Sequence, residues 1–377
     1  MRSLTWRQVH TWRLAQHGLA PRLGQDGLLT AVTRTSGIQA QVMSAASLGI
    51  SSRVERPVPD EVKSALWEER TLVKTWAMRQ TLHLLAVEEL PLFVAARNFH
   101  VTRDWVSYVA EYGITPTQFD AYLAAVPHIL GREPMTREAL ASAVAKETST
   151  PQLRRFILES SWGSPLKPSA FLGDLCFGPS QGQNVTFVNP RAWIDHWEAI
   201  EPEQALREVA RRYLRAYGPT TPAIFARWWG GGGALTKAKA VFKSLADELE
   251  QVDIEGLPSV ALCSTIESLE NAEIAETVRL LPLFDAYTFA LARDSEALLA
   301  QKHQHHVFRP QGWISAVVLV NGIIRGVWNY AVRRGQTVIK VRLFTSTTAR
   351  IKRGIAAEVE RLRDFFQTDV ALEYESS

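Results

Sequence analysis

The chain has 377 residues, 46% of them hydrophobic, which is material for roughly two to four packed units and too apolar for a disordered chain. Its two cysteines, Cys176 and Cys263, form no CxxC pair, so neither a thiolate zinc site nor a disulfide framework is expected. The segment Met1-Arg2-Ser3-Leu4-Thr5-Trp6-Arg7 lacks the apolar core of a signal peptide, and no stretch approaches ~18 uninterrupted apolar residues, so a reducing cytoplasm and no membrane span are expected.

In chain order, Thr5-Trp6-Arg7-Gln8 reads as a capping box, with Thr5 accepting from the backbone of Gln8 and Gln8 reaching back. Three short helices, a further helix over 60–70 and an extended segment over 73–85 are predicted within 5–97. Thr115-Pro116-Thr117-Gln118 is a second capping box, with proline at the first helical position. Helices are predicted near 116–128 and 136–146 and again after Pro151. Extended runs over 172–177 and 184–188 bracket the polar loop Gly178-Pro179-Ser180-Gln181-Gly182-Gln183, a hairpin wing. The clearest helix covers 202–217, where Leu206, Val209, Ala210, Tyr213, Leu214 and Tyr217 form one apolar face and Gly218-Pro219 stops it. Thr221-Pro222 opens a helix to Trp229, Gly230 to Gly233 form a turn, and a helix is predicted over 235–249. Three helices followed by an extended segment is the rhythm of a winged helix, and the chain repeats it three times without evident sequence identity.

Beyond about Gly256 the character changes. A strand over 313–320, the hairpin turn Asn321-Gly322, a return strand over 323–332, the turn Arg333-Arg334-Gly335-Gln336 and a strand over 337–344 make a meander, as in a small sheet or barrel. A last helix is predicted over 347–367. Between residues 297 and 357 there are ten Lys or Arg and no Asp or Glu, whereas the rest of the chain has 32 basic against 39 acidic residues. Such a cation stripe attracts polyanions, DNA first among them. The expected organisation is therefore mainly α with small β, divided at 1–100, 101–198, 199–256 and 257–377.

Gly37-Ile38-Gln39-Ala40-Gln41-Val42 sets two glutamines around one small residue. In a regular helix they would point about 200° apart, so to serve one site they must lie in extended chain or at a helix start. This segment resembles the Gln-x-Gln motif in the first winged helix of the AlkZ-like DNA glycosylases. The run Thr75-Trp76-Ala77-Met78-Arg79-Gln80-Thr81-Leu82-His83-Leu84 is similar to that family's Trp-x-Met-Arg-Gly-Thr-Leu-His segment. Leu280-Leu281-Pro282-Leu283-Phe284-Asp285-Ala286-Tyr287 resembles its Leu-Leu-Pro-x-Phe-Asp stretch, and Val307-Phe308-Arg309-Pro310-Gln311-Gly312-Trp313-Ile314 and Gly326-Val327-Trp328 also match in order. The departures are Gln80 in place of the usual glycine and a loose match over Phe289-Ala290-Leu291-Ala292-Arg293-Asp294.

The resemblance implies three tandem winged helices and a C-terminal barrel-like module in a C shape around DNA. It implies that Gln39 and Gln41 are the catalytic pair of a DNA glycosylase on the Gln-x-Gln branch, with crosslink unhooking among its possible reactions. The chemistry agrees. A neutral amide cannot be a general base, but it can orient water and set its carbonyl dipole against a developing cation. Alkylation at N7 of a purine already makes the base a good leaving group, so no acid is needed. Expected partners are double-stranded DNA with alkylated bases, without cofactor, metal or membrane, and the expected state is a monomer.

Arg79, Thr81 and His83 alternate along the predicted extended segment and share one face, which either lines the site or meets phosphates, or is a wing facing solvent. Arg309, Arg325, Arg333 and Arg334 are the candidate phosphate contacts of the basic module, with Gln181-Gly182-Gln183 as a further candidate loop. His303, His305 and His306 suggest a metal cluster, but without a carboxylate pattern a cationic surface is the better account. Asp285 is expected to cap a turn and tie the basic module to the helical part, against a direct catalytic role. Two rival readings are a non-enzymatic winged-helix DNA-binding regulator, which leaves the glutamine pair unexplained, and a nuclease, which needs acidic metal ligands the basic module lacks.

Overall fold

The computed structural model describes residues 1–159, 161–194, 197–230, 234–273, 276–291, 295–333, 335–346 and 348–375. It divides into two compact units, one made of Met1–Lys63 with Ala210–Ser377 and the other of Ser64–Val209.

In the first unit the capping box forms as expected and opens the helix Trp6–Gln16. Its residues Val9 and Trp12 pack with Leu4, Val252, Ile254, Ala261, Ile266 and Leu269. Strand Arg2–Leu4 lies parallel to Leu249–Ile254, which pairs antiparallel with Leu257–Leu262. This sheet explains one difference from expectation. The helix expected to run to 249 is Ala234–Ser244, because the apolar alternation from Leu249 onward is used by a strand instead. Thr221 caps the helix Pro222–Trp229, and Tyr213, Tyr217, Phe225 and Trp228 form an aromatic cluster with ring centroids 4.9–6.0 Å apart.

The basic module is a five-stranded sheet in the order Val278–Leu281, Ala316–Val320, Ile323–Arg333, Gln336–Leu343, Val370–Tyr374. Among the described residues its first and last strands are not paired with each other. Asn321 and Gly322 form the predicted two-residue turn, with φ of 51° and 79°, the left-handed pair that matches strand twist. Glycine is required there, since a Cβ on Gly322 would lie 2.7 Å from the His10 side chain. Leu280, Val318, Trp328, Ile339 and Val341 pack with Ile355, Val359 and Leu362 of the helix Ala349–Phe366. Leu48 of the helix Met43–Ser51 enters the same core, which brings the glutamine-bearing segment onto the sheet. The strands Arg2–Leu4 and Val370–Tyr374 were not expected; at three and five residues they are too short for periodicity to reveal.

In the second unit, Phe119, Tyr122, Val126, Leu140, Val144, Leu153, Phe156 and Phe187 build one core from the helices Pro116–Ile129, Arg137–Glu147 and Gln152–Glu159 and the wing. The second capping box, Thr115 with Gln118, is present. The wing is the hairpin Cys176–Gln181 with Asn184–Val188, and it begins later than expected because Lys167–Phe171 is helical. The predicted extended segment over 73–85 is also a hairpin, Leu72–Trp76 with Leu82–Ala86. Arg79 and Gln80, with φ of 55° and 60°, reverse the chain between the two strands.

Candidate active site

The approach to the glutamines is set by how the preceding helix ends. Leu28–Arg34 stops at Ser36 and Gly37, both left-handed with φ of 55° and 98°, and Gly37 N–H donates to Val32 O at 2.9 Å. That closure caps the helix and turns the chain out of it. The Thr35 carbonyl is fixed by the Tyr217 hydroxyl at 2.7 Å. The chain then runs as the short strand Ile38–Gln39, passes Ala40, bends at Gln41 and enters the helix Met43–Ser51. The two glutamines thus lie in the non-helical approach to a helix, the arrangement the spacing required. Gln39 is buried and Gln41 partly exposed.

The helix that follows is anchored at its other end by three arginines. Arg53 Nη1 donates to Gly49 O at 2.7 Å, Arg22 Nε to Ser52 O at 3.1 Å, and Arg361 Nη2 to Val54 O at 2.9 Å. Cations at a helix C-terminus satisfy its orphan carbonyls and oppose its dipole. Arg53 also makes a two-pronged pair with Asp285, at 2.7 and 2.9 Å, with both side chains 0% exposed. Asp285 Oδ1 accepts from Tyr287 N at 2.9 Å as well. The aspartate thus caps its own turn and, as the sequence suggested, ties the sheet module to a helix, the one that follows the glutamines. Arg22 reaches Glu358 at 2.6 Å, extending the network to the last helix.

In the second unit the three candidates do not alternate along one strand. Arg79 stands in the turn, Thr81 follows it, and only His83 lies within a strand. Left-handed residues at the turn break the alternation. His83 Nδ1 lies 2.9 Å from Thr81 O and so must carry the proton, which leaves Nε2 to accept from Arg79 Nη2 at 3.0 Å. Burial first, then Arg79, pushes the His83 pKa down to about 3, so the ring is neutral. Nearby Arg97 lies over the Phe171 ring at 4.0 Å, and burial lowers its pKa to about 10. Burial and then Arg97 also lower that of Lys167. Gln80 is exposed, so it adds no bulk to the core, and its φ of 60° explains why glycine suits this position.

Three comparisons with known proteins agree. Residues 32–365 match the family model described as DNA glycosylase AlkZ-like. The interstrand DNA cross-link repair glycosylase of Streptomyces sahachiroi is 36% identical over 335 residues, which are 86% of this chain and 87% of that one. The chain belongs to the AlkZ-like DNA glycosylase family. Among solved structures, the Streptomyces sahachiroi DNA glycosylase AlkZ superposes with a TM-score of 0.87 at 32% identity, covering 100% of both chains. The chain is a DNA glycosylase with the AlkZ fold, mainly helical with several small sheets.

In this AlkZ-like glycosylase the basic stretch is partly neutralised from outside itself. Lys340 pairs with Glu373 at 3.6 Å and Arg350 with Glu276. Arg309 and Arg325 are exposed, the latter on the strand Ile323–Arg333. Arg333 ends that strand, while its side chain and the whole of Arg334 lie outside the described residues, as do Ala292, Arg293 and Asp294. Among the described residues no His, Cys, Asp or Glu group could hold a metal ion, and no helix is long and apolar enough to cross a membrane. Sequence reasoning missed Arg53, Arg22 and Arg361. Nothing local marks them, since their partners are backbone carbonyls or acids up to 336 residues away.

Proposed function

We propose that this glycosylase hydrolyses the N-glycosidic bond of cationic N7-alkylated purines in duplex DNA, with Gln39 and Gln41 as its catalytic pair on the Gln-x-Gln branch. The observation that carries the reading is the non-helical segment that holds both glutamines directly before a helix clamped at its far end. A neutral purine leaves the sugar, the sugar carbon becomes oxocarbenium-like, and a water held by the glutamine amides adds to it. The amide carbonyl dipoles face the cation, and no general acid is required. The relative's name adds interstrand crosslinks to the substrates proposed for this chain. A crosslinked base cannot swing freely out of the helix.

The reading extends to the candidate DNA contacts Arg79, Thr81, His83, Arg309, Arg325, Arg333 and Arg334. It also carries the tandem winged helices bounded at 1–100, 101–198 and 199–256, the barrel-like module at 257–377 curved with them around DNA, and a cytoplasmic monomer. The test is release of free N7-methylguanine from methylated duplex DNA without added metal. Gln39→Ala and Gln41→Ala should each lower the single-turnover rate by about 10²-fold or more and leave duplex affinity within a factor of three, as for loss of one preorganised polar group. A wild-type rate retained by both variants refutes the glutamine assignment. Release of N7-methylguanine with an N7-linked crosslink left intact refutes crosslink unhooking alone.

A further inference from the structure

A surface stack of rings stands beside the basic strands. The His303 and Phe344 rings lie 4.2 Å apart at 10°, and His306 lies 5.4 Å from Phe344 at 24°. His305 lies 3.8 Å from His306. These rings come from the turn Gln301–His303, the short helix Gln304–Val307 and the residue that follows the strand Gln336–Leu343. His305 is exposed and the other three rings are partly exposed. Phe344 stands outside the core that the sheet shares with its covering helix.

Its surroundings are cationic. Arg342 Nη2 donates to His306 Nδ1 at 2.8 Å. A guanidinium only donates, so that nitrogen carries no proton and the ring is neutral with its hydrogen on Nε2. Burial and then Arg342 lower the His306 pKa, in agreement. Phe344 N–H donates to the Arg325 carbonyl at 2.9 Å, which brings Arg325 backbone alongside the stack. Lys302, Arg309, Arg325 and Arg342 have no ion pair among the described residues, and the chain has no carboxylate between residues 297 and 357 to supply one.

We propose that His303, His306 and Phe344 form a stacking platform for an unpaired nucleobase, with Lys302, Arg325 and Arg342 meeting the phosphates that flank it. The proposal rests on the reading that this module meets DNA, and it adds a form of DNA that a duplex-lesion site does not need. In a duplex both faces of every base are already covered by neighbours. A ring platform can therefore take only a base that has left the stack. Neutral imidazole and phenyl faces suit any base, and cations alongside suit a backbone, the combination that single-strand binders use.

The test uses the full chain and two probes: a 15-nucleotide single strand with one 2-aminopurine, and the duplex of the same sequence. Binding is read by anisotropy and stacking by 2-aminopurine quenching. Phe344→Leu and His303→Ala alter partly exposed rings, and circular dichroism verifies their fold. Each should weaken single-strand binding by roughly 5- to 150-fold, the equivalent of about 1–3 kcal/mol per stacked base, and abolish the quenching. Duplex affinity should change less than threefold and the salt slope should hold. Arg325→Gln should instead reduce the single-strand salt slope by about 0.7. Ring variants that bind the strand as the wild type does, or that lose strand and duplex equally, overturn the proposal. If methylguanine release persists in that case, only the platform fails; a wild type that binds neither probe overturns the DNA-contact reading with it.

Discussion

Replacing Asp285 with alanine leaves Arg53 charged, 0% exposed and without its carboxylate. Removing one partner of a buried ion pair costs about 3–5 kcal/mol, because the remaining charge cannot recover its hydration. Two further losses act in the same direction: Tyr287 N loses its acceptor, and the helix that follows Gln39 and Gln41 loses its tie to the sheet. The local readout is amide exchange over 43–53 and 280–290, where opening should become roughly 160- to 5,000-fold more frequent, the equivalent of that free energy. A second variant, Arg53→Met with Asp285→Ala, removes both charges. It still strands the Gly49 carbonyl, so it should recover only part of the loss, about 1–2 kcal/mol relative to the single change. An exchange increase under tenfold in Asp285→Ala, or a double variant no better than the single one, would refute the account of this pair as the anchor of the helix that follows the glutamines.

Gln80→Gly should stabilise the second unit by up to about 1 kcal/mol, since it relieves a left-handed residue on an exposed turn; a lower urea midpoint would contradict this. Burial pushes His10 and His83 down to about 3 and His17 well below its usual value. Below the unfolded value of about 6.5 the unfolded chain therefore binds more protons than the folded one. Stability should fall as pH drops from about 6.5 toward 3, by about 1.4 kcal/mol per pH unit for each histidine, and level off above pH 7. Equilibrium denaturation across pH checks this, and His10→Leu should flatten the slope by about a third; an unchanged slope would count against the burial of that imidazole as its cause. The single-turnover rate of methylguanine release should be flat between about pH 7 and 9, because the glutamines do not titrate there. A bell-shaped profile would place an ionising group in the reaction.

What the sequence disclosed followed the reach of each signal. Capping boxes at Thr5 and Thr115 and the Asn321-Gly322 turn depend on neighbours a few residues apart and appear where expected, as does the wing's return strand Asn184–Val188, whereas its first strand begins only at Cys176. To serve one site the two glutamines must lie in a non-helical segment or at a helix start, and they lie in the short strand and bend before a helix. The reversal at Arg79 and Gln80 was hidden because neither residue announces a left-handed backbone, and alternation across a turn mimics a strand. The end of the helix Ala234–Ser244 was hidden because Leu249 and Val252 fit either period until their partners in Arg2–Leu4 and Leu257–Leu262 are known. The arginine clamp could not be read at all, since guanidiniums that meet carbonyls leave no pattern in composition.

The first unit is also discontinuous along the chain, and that has a consequence for synthesis. The glutamine segment leaves the ribosome early, but Arg53 meets Asp285 only 232 residues later. At about 5–20 residues per second the nascent segment waits roughly 12–46 seconds for its anchor, during which Ser64–Val209 emerges in full. Translation interrupted between Gln41 and Asp285 therefore yields chains that carry both glutamines but lack the buried ion pair that anchors the helix after them.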